Sequence, residues 1–367
     1  MDTSHRRWSW RVAAIGVSAL ALAAPAAAGS ASSQSTYRQV NLVSDVPGQA
    51  QITDPNLVNP WGASYASTSP LWVSDNGTDV STLYQGGVHG GPQTIVSLVV
   101  NIPGGAPTGQ VFNPTSDFVV HGADGSSAAA RFLFVGESGH LTGWAPTVPA
   151  TAPPPSTEAQ DAVVTPGAIY KGLALAQTQS GPRLYAADFS AGTVDVYNGS
   201  FQRVITAGNF QDRQLPARFA PFNVAVLGGK VYVAYAKQDA DREDEIAGAG
   251  LGRVDIFSLD GQLMRRLQQH GVLNAPWGLT IAPPGFGTFS GDLLVGNFGD
   301  GRIHAFNPNN LNLLGTVRNA QHNPISIDGL WALLPGNGVE AGTDEVIFTA
   351  GPDEEQHGLL GTLSARN

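Results

Sequence analysis

Apolar and polar positions alternate along this chain in short bursts of period two, as in "TVDVY" (Thr193 to Tyr197) and "RVDIF" (Arg253 to Phe257), rather than with the 3.6-residue period of a helix. Such bursts, bracketed by Gly- and Asn-containing turns, predict half-buried strands. One strand recurs six times: "LWVSDNG" from Leu71, "LFVGESG" from Leu133, "LYAADFS" from Leu184, "VYVAYAK" from Val231, "LLVGNFG" from Leu293 and "VIFTAGP" from Val346. After each comes a turn and a second alternating run, ending at Tyr84, Trp144, Tyr197, Phe257, Phe306 and, more weakly, Leu363. Upstream in most units lies a third motif: "NPWGAS" at Asn59, "NPTSDF" at Asn113, "YKGLAL" at Tyr170, "APFNVAV" at Ala220, "APWGLT" at Ala275 and "IDGLWAL" at Ile327. A further β-rich run usually follows. Four strands per unit at a spacing of about fifty residues is the grammar of a β-propeller blade.

The expected fold is therefore all-β, a six-bladed propeller of four-stranded antiparallel blades over residues 37–367. The last unit has no fourth strand, whereas "YRQVNLVS" (Tyr37 to Ser44) has no unit of its own, so the N-terminal strand is expected to complete the last blade. Closure of that kind protects edges that an open array would expose. The aromatics ending the third strands are expected to fill the wedges between blades. Two insertions break the period. Thr147 to Gln160 is Pro-rich and reads as an extended connection; Lys237 to Arg253 enlarges a turn of the fourth blade. The carboxylates of the second, Asp239, Asp241, Glu243, Asp244 and Glu245, read as a solvated charge run, because the spaced Gly and terminal Glu of an EF-hand loop are missing.

Composition adds a location. Arg6, Arg7 and Arg11 precede an apolar run from Val12 to Ala24 with an A-x-A site after Ala28, which reads as a signal peptide over 1–28 and is short for a membrane span. Residues 29–36 then form a flexible mature N-terminus. The protein is expected to be exported to a periplasmic, extracellular or cell-surface location of a bacterium, by the general secretory or twin-arginine route, without stable membrane insertion. There is no Cys, which excludes disulfides, thiolate zinc sites and Cys nucleophiles. After cleavage 16 basic residues face 28 acidic ones, which argues against nucleic acid as a partner. A monomer binding a small molecule or a protein is the expectation.

In an antiparallel blade the turn between strands two and three emerges on the same face as the connection into the inner strand, so polar groups at both places surround one mouth of the central channel. Aligning strand ends makes Asp75, Glu137, Asp188, Tyr235, Asn297 and Ala350 equivalent; aligning the inner motifs does the same for Gly62, Ser116, Gly172, Asn223, Gly278 and Gly329. Glu137, Asp188, Asn223, Asn297 and Asp328 are oxygen donors suited to a hard cation, Ca²⁺ or Mg²⁺. The same residue types before Gly or Ser also end strands by bonding to turn backbone. Trp61, Asp75, Asn76, Trp277, Asp300 and His357 are the candidate ligand-binding residues of the mouth, and Asp188 and His140 the candidate proton carriers. His304 stands where other units carry Asp195 and Asp255, which points to packing. H-E-x-x-H and G-x-S-x-G are absent, and "GAGLG" does not open a helix.

"NLVSDVPGQAQITDPNLVNPWGAS", "LWVSDNGT", "APWGLTIAP" and "GDLLVGNFGDGRI" resemble an uncharacterised family of exported bacterial propellers, some of which end in a PEP-CTERM sorting tail. This chain ends instead in "LLGTLSARN". The repeat is also similar to NHL-type and gluconolactonase-like six-bladed propellers. Lactonases of that kind hold an axial divalent cation with Glu, Asn and Asp, a set the residues above match in type. The leading expectation is a non-enzymatic propeller that binds a ligand or protein through one face; the alternative is a divalent-cation-dependent hydrolase or lyase.

Overall fold

The computed structural model describes residues 35–151, 154–267 and 271–366. The expected leader, and the mature N-terminus as far as residue 34, lie outside the described residues. Ser35 and Thr36 are already tied down: the Ser35 amide donates to Thr288 Oγ1 at 2.7 Å, and Thr36 opens the first strand.

Alternating sequence becomes six antiparallel sheets arranged as propeller blades, and no α-helix occurs among the described residues. The inner strands are Pro60–Ser64, Pro107–Phe112, Tyr170–Thr178, Phe219–Leu227, Pro276–Ile281 and Leu330–Pro335. Each touches the next, and the sixth touches the first, which closes the ring. In the last blade Thr36–Ser44 pairs antiparallel with Leu359–Arg366, Val40 lying opposite Thr362. The N-terminal strand thus supplies the missing outer strand, as the sequence predicts.

The register departs from the sequence alignment in two blades. In blade 2 the inner strand is Pro107–Phe112, so "NPTSDF" follows it; Asn113 there ties a loop by donating to the carbonyls of Asp117 and Ala130. Gly136, not Glu137, pairs across to that strand's start at Pro107. In blade 6 the strand begins at Leu330, which shifts Trp331 into the place held by Trp61 and Trp277. Blade 3 differs in strand number: Tyr170–Thr178, Gly181–Asp188 and Thr193–Asn198 form its sheet, and the expected fourth strand is reduced to one bridge, Tyr197 with Arg203.

Blade wedges are filled as the pattern implies. Tyr84, Trp144, Tyr197, Phe257, Phe306 and Leu363 are all buried, each contributing roughly 1.5–3 kcal/mol. His304 is buried as well, bonded to Thr316, and its burial pushes its pKa down.

A loop from blade 6 adds a second stitch across the seam with blade 1. The Gly86 amide donates to Val339 O, and Gln93 Nε2 to Glu340 Oε1 at 2.8 Å. Glu340 is fully buried and its other oxygen meets no donor among the described residues; burial raises its pKa to about 8, against a lowering by Gln93. The folded carboxyl keeps its proton far above the pH at which the unfolded one ionises; its stabilisation is complete below about pH 4.5 and is lost as pH rises through about 8. Glu340→Gln is therefore expected to stabilise the protein by about 1–3 kcal/mol near pH 9 and hardly at all near pH 5, read by urea unfolding.

Candidate functional site

Every inner strand carries an irregularity in its pairing near its start, after the first residue in five blades and after Pro221, the third, in blade 4, as between Pro60 and Ala63 or Tyr170 and Gly172. The extra residue leaves the ladder there, as in a β-bulge. The six residues at this place are Trp61, Thr108, Lys171, Phe222, Trp277 and Trp331; Thr108 bonds to the Val135 and Tyr170 carbonyls, and the other five meet on the axis. Trp61 stacks on Trp331 (3.5 Å between centroids) and meets Trp277 and Phe222 edge-on at 6.2 Å. The next residue is Gly in four of the six strands, where neighbouring chains close in: a Cβ on Gly62 would collide with Thr108 O, and one on Gly109 with Leu173 N. An aromatic plug therefore closes the channel.

Lys171 is the one charged member of that ring. Its side chain is 2% exposed, with Nζ 5.1 Å from the centroid of Trp61, 2.5 Å from Glu137 Oε1 and 3.2 Å from Asp244 Oδ1. From there a hydrogen-bonded chain circles the mouth. Asn76 Nδ2 donates to Glu137 Oε2 (3.1 Å), Asn59 Nδ2 to Asn76 Oδ1 (3.2 Å) and Glu355 Oε2 (2.7 Å), and Trp331 Nε1 to Asn59 Oδ1 (2.9 Å). Trp277 Nε1 donates to Lys171 O.

Burial alone would push the Lys171 pKa down, but Glu137, Glu245 and Asp244 more than offset it and raise it, so the ammonium stays charged. The carboxyls feel the converse. Burial raises Glu245 to about 7, with Lys171 opposing and Glu355 and Asp244 adding to the rise. Burial also raises Glu355, against Asn59 and Lys171. Four acids thus surround one cation.

Beyond the plug the channel widens into a cavity of about 440 Å³ on the opposite face, lined largely by apolar residues such as Leu173, Val224, Leu279 and Leu333.

The structure brings Trp61, Asn76, Trp277 and Glu137 together at the mouth and engages the other expected residues in separate hydrogen bonds. Asp75 lies inside blade 1, accepting from the Thr82 amide and hydroxyl, and burial raises its pKa well above the usual range. Asp188 accepts from the Ala191 and Ile169 amides, and burial raises its pKa too. Asn297 is bonded to Asn274 N, Val272 O and Asp300; Asp300 also accepts from Arg302 N. Asn223 bridges Trp277 O and its neighbour Val224 N. Asp328 accepts from Asp353 N. His140 pairs with Asp161 at 2.7 Å. His357 pairs with Asp45 at 2.8 Å, which raises its pKa. Among the described residues no group of three or more His, Asp or Glu side chains is arranged to hold a metal ion. Lys171, Asn59, Glu245 and Glu355 are mouth residues that the sequence reading does not select. A signal for Lys171 exists, since "YKG" puts a charge where "PWG" has Trp.

No established family model matches the chain. Two uncharacterized proteins of Acanthamoeba polyphaga mimivirus are similar to it. One is 34% identical over 337 residues, covering 89% of this chain and 80% of the relative. The other is 33% identical over 340 residues, covering 89% and 86%. The chain belongs to the family of these mimivirus proteins. Its relatives found here are viral, so the bacterial exported family and its sorting tail find no support in them. Virginiamycin B lyase from Staphylococcus aureus has a TM-score of 0.48 at 11% identity, over 90% of this chain and 99% of that one. A chain of the nidogen/laminin complex has a TM-score of 0.43 at 15% identity, over 71% and 76%. Scores of this size leave the site to be read from this chain alone. No helix among the described residues is long and apolar enough to cross a membrane.

Proposed function

We propose that the protein is an exported binding module whose acidic axial mouth takes an organic cation, an alkylammonium group on a small molecule or protein partner. One observation carries this reading: Glu137, Asp244, Glu245 and Glu355 gather round a single ammonium, so the mouth is short of positive charge. Lys171 itself illustrates the mode of binding, with an ammonium lying over Trp61 and bonded to two carboxylates. The Arg-flanked apolar leader supports export.

Glu245 couples binding to pH. A cation favours its ionised form, so affinity is expected to rise as pH increases through about 7. Calorimetry with spermidine is expected to show binding about five- to tenfold tighter near pH 8 than near pH 6, abolished in Glu245→Gln/Glu355→Gln. No heat at either pH, or binding indifferent to the double substitution, sinks this reading.

The competing reading is a hydrolase or lyase dependent on Ca²⁺ or Mg²⁺. The donors chosen for it do not fit a common ion: Glu137 is engaged by Lys171, while Asp188, Asn223 and Asn297 are bonded to backbone in separate blades. A melting temperature that moves with Ca²⁺ or EDTA would favour that reading over ours.

A further inference from the structure

Blade 3 lacks its full outer strand, and the space is not filled by its neighbour. After the bridge between Tyr197 and Arg203 the chain leaves the edge of Thr193–Asn198 and crosses to blade 4. A cavity of about 470 Å³ remains, lined in part by Asp195, Arg203, Thr206, Gln211, Asp212 and Tyr235. That volume falls within the roughly 300–1,000 Å³ usual for small-molecule sites.

Its polar groups are held in place from behind. Asp212 accepts both Nε (2.7 Å) and Nη2 (2.5 Å) of Arg266 and the Gln214 amide. Asp195 is paired with Arg203 and accepts from Tyr170 at 3.0 Å. Asp255, 3% exposed, lies near Asp212, and its Oδ2 meets no donor among the described residues. Burial, and then the charge of Asp212, raises the Asp255 pKa to about 7. Tyr235 is 2% exposed, and its hydroxyl has no hydrogen-bond partner among the described residues although it lines the cavity. A buried hydroxyl without a partner is costly, and a ligand that bonds to it removes that cost.

Charge decides the class of ligand. Asp195 with Arg203, and Asp212 with Arg266, are mutually neutralised; Arg213 also lines the cleft, on its solvent-exposed side, and the Asp255 carboxyl behind Asp212 partly offsets it, so the cleft carries no strong excess of either charge. What it offers is a dense set of directional donors and acceptors beside apolar Val196 and Phe210. Molecules with adjacent hydroxyls on a ring having an apolar face match both features. We propose that the cleft between blades 3 and 4 is a second ligand site, for a neutral sugar, bound by Asp212, Arg203 and the Tyr235 hydroxyl.

Saturation-transfer NMR on the mature chain, with glucose, galactose, mannose, N-acetylglucosamine and their disaccharides as probes, tests this. Transfer to at least one sugar is expected. Its affinity should weaken about fivefold in Tyr235→Phe, the loss of one hydrogen bond, and more in Asp212→Asn. Glu245→Gln in the mouth should leave it unchanged. Tyr235→Phe removes a hydroxyl with no hydrogen-bond partner among the described residues, so its melting temperature should not fall, which separates a binding defect from misfolding. No transfer to any of these sugars, or equal transfer with and without the Tyr235 hydroxyl, overturns the proposal, as does loss of transfer in Glu245→Gln.

Discussion

Lys171→Met is expected to destabilise the protein by about 3–5 kcal/mol at neutral pH, the cost of removing one partner from a buried charge cluster. The argument is local. Glu137 and Asp244 lose their hydrogen-bonded cation, and Glu245 and Glu355 lose the charge that partly offsets their burial. Methionine matches the stem of lysine in length, so packing on Trp61 is largely kept and the loss reports the charge. Two controls give the effect its sign. Because Lys171 holds its proton more tightly folded than unfolded, its stabilisation is complete below about pH 10.5 and is lost only above that. The substituted protein should recover part of the loss as pH falls below about 7, where Glu245 takes up a proton and needs no cation. Adding Glu137→Gln should restore part of the loss. Urea unfolding near pH 7 and pH 5 measures each of these.

Truncation to begin at Asp45 is expected to abolish folding. The strand Thr36–Ser44 buries Tyr37, Leu42 and Val43, together worth roughly 5–9 kcal/mol, which is comparable with the whole stability of an ordinary domain, about 5–15 kcal/mol. Tyr37 also stacks on Phe289 (5.9 Å) and donates its hydroxyl to Phe286 O, so blade 5 loosens with blade 6. The truncation leaves Leu359–Arg366 as an open edge, a template for association between chains. Aggregated material, or a broad unfolded circular-dichroism spectrum, is the expected outcome; a soluble monomer melting cooperatively as the full chain does would contradict ring closure by this strand.

The blades were legible in the sequence because each rests on local signals: period-two alternation, a turn, and an aromatic such as Tyr197 or Phe257 at a fixed place. The registers were less so. Asn113-Pro114 imitates Asn59-Pro60 although the inner strand of blade 2 has already ended, and the residue aimed at the axis is marked only where "PWG" or "YKG" recurs, not at Thr108, Phe222 or Trp331. Strand-end donors such as Asp188 and Asn297 were recognisable as oxygen donors, but the residue types that suit a cation also suit a turn amide, and both are bonded to backbone. Composition misleads most over the acidic insertion. A run of carboxylates reads as solvated, yet Asp239 accepts the Glu243 amide and folds the loop so that Asp244 reaches Lys171. The Asn59–Glu355 bond joins residues at nearly opposite ends of the propeller sequence, and only closure of the ring brings them together.

The central claim is that a buried, permanently charged lysine occupies the axis. The chain contains three lysines, Lys171, Lys230 and Lys237. Nitrogen-detected NMR of lysine side chains through a pH titration reads their ammonium groups directly. The account expects one Nζ signal, missing in Lys171→Met, to exchange slowly and to stay protonated well past the point, near pH 10.5, where free lysine titrates. Three signals titrating together there, none of them protected from exchange, would contradict it.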